Sequence, residues 1–125
     1  MKEKTLKLSK LPKTWLIDVD GTLFVHNGHL QGEDQLVAGC KLFVDQIPAT
    51  DTIILLTSRS EDYREQTECA LKRYGIRYDR LIVNLPVGER IVVNDTKPRG
   101  LQTAIALNVT RNCFDVPTID YSENH

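Results

Sequence analysis

Thr52 to Leu56 reads TIILL, one β-branched polar residue and four aliphatics in a row. A strand sends alternate side chains to opposite faces, so a run like this suits a place where both faces are covered. That place is the centre of a parallel sheet, whose neighbouring strands need long crossover connections, most often helices. The rest of the chain is patterned to supply both. Trp15–Asp18 is another short apolar run, and YDRLIVN (78–84) and ERIVVND (89–95) are two more, separated by a turn at Pro86 and Gly88. From Glu33 to Ile47 the apolar positions Leu36, Val37, Cys40, Phe43, Val44 and Ile47 recur at helical spacing, which predicts a helix ended by Pro48. Ser60, followed by Glu61 and Asp62, opens a second helix with Tyr63, Thr67, Ala70, Leu71 and Tyr74 on one face and Gly75 as its stop. The segment TAIALNV (103–109) fits either an edge strand or a last helical turn. Strand, helix, strand, helix, strand, strand predicts an α/β fold around a mostly parallel sheet.

At 125 residues, 41% hydrophobic and 26% charged, the chain is expected to form one domain spanning 1–125. Its loop-rich ends, 1–13 and 114–125, are expected to be mobile or to contact a partner chain. The lysines at 2, 4, 7, 10 and 13 read as a solvated arm. A net charge of −1 gives no basic field for nucleic acid. Cys40, Cys69 and Cys113 are odd in number and lack CxxC spacing, so they read as reduced thiols of a cytoplasmic protein. No apolar run reaches the length of about 18 residues that a membrane span requires, and the Lys-rich start lacks the apolar core of a signal peptide.

Chemistry concentrates at the ends of the predicted strands. In open α/β sheets, ligands bind beyond the carboxyl ends of the strands. Here those ends are polar: Asp18 with Asp20 in the following turn, Thr57 with Ser58 and Arg59, and Asn94 with Asp95. Two or three carboxylates with no sulfur or imidazole nearby favour a hard, oxygen-loving cation, of which Mg²⁺ is the natural choice. The Thr57 hydroxyl and the first N–H groups of the next helix suit phosphate oxygens. Asn94 either binds water on the ion or caps its strand. Arg59 either meets a substrate anion or lies at the helix surface, and His26 and His29 sit in the loop beside the acidic pair.

The motif DVDGT (18–22), then a hydrophobic strand ending in Thr57, then one ending in an acidic residue, resembles the haloacid dehalogenase-like superfamily of Mg²⁺-dependent phosphotransferases. The resemblance spans roughly Trp15 to Gly100. It implies a Rossmann-like three-layer α/β/α sandwich. It implies that Asp18 is the nucleophile that takes the phosphoryl group, and that Asp20 is the general acid and then the base. The ion would be held by the Asp18 carboxylate, the Asp20 backbone carbonyl and Asp95. Gly21 would allow the sharp turn, Thr22 would fix the loop, and Thr57 with Ser58 would meet the phosphoryl oxygens.

Relatives place a cation near the position that Leu85 holds here. Lys97 is the expected substitute, because Lys72 and Arg73 read as a solvated helix face. Neither gap between motifs has room for a cap domain, so the chain resembles the small capless members. Their open site is covered by a large substrate or by a neighbouring subunit, which points to a possible homo-oligomer. The substrate expected by this resemblance is a small phosphorylated sugar or polyol. The alternative is a non-catalytic module that keeps the acidic pocket for a metal or a phospho-ligand.

Overall fold

The computed structural model describes residues 4–125, so Lys2 of the basic arm lies outside the described residues. These residues form two compact units. One comprises residues 4–11, Gly88–Asn108 and Pro117–His125; the other comprises Pro12–Val87 and Val109–Val116.

In chain order the regular elements are β1 (Thr5–Lys7), β2 (Thr14–Asp18), α1 (Cys40–Asp45), β3 (Thr52–Leu56), α2 (Arg64–Arg73), β4 (Arg80–Ile82) and β5 (Thr118–Asp120). Short 3₁₀ turns lie at Gly28–Leu30 and Glu61–Tyr63. The class is α/β, with small parallel sheets.

The larger unit holds a three-stranded parallel sheet in the order β2-β3-β4. The aliphatic run Thr52–Leu56 is its central strand, as its composition predicts, but only the Ile53 and Leu55 face is buried, while Ile54 and Leu56 on the other face are only half-buried. Ile17, Leu55 and Leu81 share a register row and are all buried. On the same face of β2, Trp15 meets Phe43 of α1 edge to face, with ring centroids 5.6 Å apart. Leu16 and Ile82 lie on the opposite face and are 48% and 41% exposed. Burying an aliphatic side chain of this kind contributes about 1.5–3 kcal/mol, so the covered face supplies most of the sheet's stability. The Trp15 indole N–H donates to Asp51 Oδ2 at 2.9 Å, and the Lys13 N–H donates to Oδ1 at 3.0 Å. Asp51 thereby ties the start of β2 to the turn before β3.

The second predicted helix forms where expected. Glu61 and Asp62 fall in the turn before α2 and Glu65 in its first turn, while Lys72 and Arg73 close it, so both ends complement the helix dipole. Ser60 precedes the 3₁₀ turn in extended backbone, without a side-chain cap bond.

The first predicted helix is much shorter than its apolar spacing suggests. Only Cys40–Asp45 is helical, because residues 35–37 are drawn into pairing with 23–25. The Val25 N–H donates to the Gln35 carbonyl at 2.9 Å, and the Val37 N–H donates to the Leu23 carbonyl at 2.7 Å. Gly39, just before the helix, takes φ +92°. A Cβ there would stand 2.5 Å from the Phe114 carbonyl oxygen. Gly39→Ala should therefore lower stability by about 1–3 kcal/mol from backbone strain alone. A denaturation midpoint unchanged from wild type would contradict that assignment.

Three further expectations are corrected. ERIVVND forms no strand: Ile91 and Val93 are 83% and 89% exposed, in the smaller unit. Its end is held by side chains, Asn94 Nδ2 donating to the Thr103 carbonyl and Thr103 Oγ1 to the Asp95 carbonyl. β-branched composition favours a strand only where a neighbouring edge accepts its ladder. The ends of the chain, expected to be loose, pair with each other. β1 and β5 run parallel, Thr5 opposite Thr118 and Lys7 opposite Asp120. The Leu8 and Glu123 N–H groups extend that pairing to the Asp120 and Leu8 carbonyls. TAIALNV adopts neither a strand nor a helix. Among the described residues, no helix is long and apolar enough to cross a membrane.

Candidate active site

The candidate site lies in the larger unit, at the carboxyl end of β2. Asp18 is the last residue of that strand, and the ladder continues one step as the Val19 N–H donates to the Leu56 carbonyl at 3.0 Å. The chain then turns sharply. The Val19 carbonyl accepts from the Leu23 and Phe24 N–H groups, both at 3.0 Å, and Gly21 takes φ +85°. A Cβ on Gly21 would meet the Arg111 side chain at 3.2 Å. The Gly21 carbonyl accepts from the Asn112 N–H, and Asn112 Oδ1 accepts from the His26 N–H, each at 2.7 Å. The acidic turn is thus anchored by a segment far along the chain.

The two carboxylates have different surroundings. Asp18 is half-buried, and Thr22 Oγ1 donates to its Oδ2 at 3.1 Å. Asp20 is held by Arg59 and Thr57. Arg59 Nη2 donates to Asp20 Oδ1 at 2.9 Å, Nε donates at 3.1 and 3.2 Å, and Thr57 Oγ1 donates to Oδ2 at 2.9 Å. Thr57 is fully buried and also accepts the Arg59 N–H at 3.0 Å. Its one proton is therefore committed to Asp20 and not aimed at an incoming phosphoryl oxygen.

Arg59 is neither a surface residue nor an open anion clamp. Its side chain is 1% exposed. Nη2 reaches Asp34 Oδ1 at 2.7 Å, while Nη1 reaches Asp34 Oδ2 at 2.9 Å and Thr67 Oγ1 at 2.8 Å. Those bonds and the ones to Asp20 use all five guanidinium N–H groups. The Phe24 ring lies under the guanidinium, 5.7 Å from its carbon to the centroid. Burial alone would lower the Arg59 pKa, but the hydrogen bonds and charges of Asp34 and Asp20 raise it on balance.

Asp34 and Thr67 are the members that sequence reasoning missed. Asp34 sits in what reads as a polar loop, 25 positions from Arg59. Thr67 had a signal: it is a hydroxyl on the apolar face of the predicted helix, and it donates to the Tyr63 carbonyl while receiving Arg59. Tyr74 completes the frame by donating to the Asp34 carbonyl at 2.7 Å.

His29 stands beside this cluster, its Nδ1 3.8 Å from Asp20 Oδ1 and its side chain 6% exposed. Its ring meets Tyr63 edge to face. Burial first, and then the Arg59 charge, lower its pKa from the ordinary 6.5, so it is neutral at neutral pH. Nδ1 of both His26 and His29 is buried without a hydrogen-bond partner.

Asp18, Asp20, Gly21, Thr22, His26, Thr57 and Arg59 are thus gathered in one unit. Ser58 follows Thr57 and is exposed, its hydroxyl 3.4 Å from the Pro86 carbonyl. Leu85 is half-buried, and its N–H donates to the Thr57 carbonyl at 3.1 Å. Asn94, Asp95 and Lys97 belong to the other unit. No family model, no curated protein and no solved structure matches the chain.

Among the described residues, no three His, Cys, Asp or Glu side chains come together to hold a metal ion. Of the donors that the resemblance implies, the Asp18 carboxylate and the Asp20 backbone carbonyl belong to this turn, and oxygen donors are the kind that Mg²⁺ takes while keeping several of its waters.

Proposed function

We propose that this chain hydrolyses phosphate monoesters, on a three-layer core of the haloacid dehalogenase-like kind. The observation that carries the reading is the unequal pair at the end of β2. One carboxylate is half-buried at the strand tip; the other, two residues on, is fixed by an arginine and a threonine. Neighbouring carboxylates in different surroundings are how enzymes divide nucleophile from acid and base.

In this reading an Asp18 carboxylate oxygen attacks phosphorus, forming the O–P bond of an aspartyl-phosphate as the bond to the ester oxygen breaks. Asp20, having taken a proton from solvent, gives it to the departing oxygen. It then takes a proton from the water that attacks phosphorus and releases Asp18. Thr57 and Arg59 keep Asp20 in place through both steps, and the exposed Ser58 hydroxyl would turn from the Pro86 carbonyl to the phosphoryl oxygens. Mg²⁺ would be held by the Asp18 carboxylate and the Asp20 carbonyl, and it would neutralise phosphoryl charge. A small phosphorylated sugar or polyol suits a capless chain, with a neighbouring subunit supplying the further positive charge.

Leu85 favours a second reading. It follows β4, its N–H bonded to the Thr57 carbonyl, near where the resemblance places a cation to balance phosphate charge, and a site lacking that cation can bind without turning over. One experiment separates the two. Phosphate release is measured from sugar phosphates, nucleotides and a chromogenic aryl ester, with Mg²⁺ and with chelator. Mg²⁺-dependent release supports hydrolysis. A folded protein that binds Mg²⁺ and releases nothing from any ester supports the binding module.

A further inference from the structure

Five acceptors surround the Arg59 guanidinium, and only some belong to Asp20. Nη2 divides its two protons between Asp20 Oδ1 and Asp34 Oδ1, at 2.9 and 2.7 Å. Nη1 is spent on Asp34 and Thr67. Asp34 is 1% exposed and its side chain is fully buried, yet it is not among the partners of Asp20. We infer that Asp34 is a positioning residue: by taking one edge of the Arg59 fork, it fixes the edge that Arg59 turns toward Asp20. This rests on the phosphatase reading and adds a residue to it.

The geometry explains why the second carboxylate matters. A guanidinium is a rigid planar fork, so fixing one edge fixes the other. With Asp34 in place, Arg59 meets Asp20 through Nε and Nη2, and Thr57 approaches the Oδ2 atom. In Asp34→Asn the amide N–H₂ would face guanidinium N–H groups, donor against donor. Arg59 would then rotate onto other acceptors and draw the Asp20 carboxylate out of line with the leaving oxygen. A displacement of about 1 Å in such a group can cost a hundredfold in rate.

The test uses leaving groups. An alkyl phosphate needs a proton delivered as its ester bond breaks, whereas an activated aryl phosphate does not. Asp34→Asn should lower kcat/KM, which reports the step that forms the aspartyl-phosphate and expels the leaving group, by about tenfold to a hundredfold on an alkyl phosphate, within the range general acid–base catalysis supplies. It should change kcat/KM on p-nitrophenyl phosphate far less, because hydrolysis of the shared intermediate does not enter that ratio. Loss of the fold alone would depress both substrates together. If Asp34→Asn does not fold cooperatively, Thr67→Val, which removes one Nη1 acceptor, carries the test with a smaller split of the same sign. Equal losses on both substrates, or none, overturn the inference while wild-type turnover keeps the phosphatase reading. Absence of turnover in wild type on every ester overturns both.

Discussion

Asp18→Asn is expected to abolish phosphate release and leave the fold unchanged. The substitution is isosteric, and the amide oxygen can still accept the Thr22 hydroxyl that now donates to Asp18 at 3.1 Å. What is lost is the charge and the nucleophilic oxygen. Losses on removing a nucleophile reach about 10⁶-fold in well-studied hydrolases, so a fall of about 10⁴-fold or more is expected here. The unfolding midpoint should match wild type. Hydrolysis retained within tenfold would remove Asp18 from the nucleophile's role, and with it the division of labour between the two aspartates.

The largest effect on stability is expected from Arg59→Ala. That change leaves Asp20 and Asp34 without the cation between them, and Asp34 has no exposed side-chain surface through which water can compensate. Removing one partner of a buried ion pair typically costs about 3–5 kcal/mol. A domain is stable by only about 5–15 kcal/mol, so the variant should unfold at much lower urea or fail to accumulate folded. Arg59→Lys keeps the charge but loses the fork, and should fall between the two. An Arg59→Ala variant within about 1 kcal/mol of wild type would show that the cluster is hydrated and not the buried frame described above.

What the sequence made legible was local. β2, β3 and β4 announce themselves as short apolar runs, and α2 by an apolar face with acids at its start and bases at its end. The carboxylate pair and Thr57 were visible for the same reason, as polar residues at the ends of such runs. The helix expected over 33–47 shrank because its first half bonds to residues 23–25, a competition no helical periodicity reveals. ERIVVND has strand composition without a strand's neighbours, and the pairing of β1 with β5 joins segments over a hundred positions apart. Asp34 was invisible for an electrostatic reason. A buried aspartate and a solvated one are the same letter until the arginine that neutralises it is located.

The hydrogen bonds from Asn112 to the acidic turn also set an order in time. His26 and Asn112 are 86 positions apart. At synthesis rates of about 5–20 residues per second, the turn carrying Asp18 and Asp20 waits about 4–17 s on the ribosome for its anchor. During that interval β2, β3 and α2 are already made and able to pack. The nascent chain therefore has a hydrophobic framework before its acidic loop is fastened.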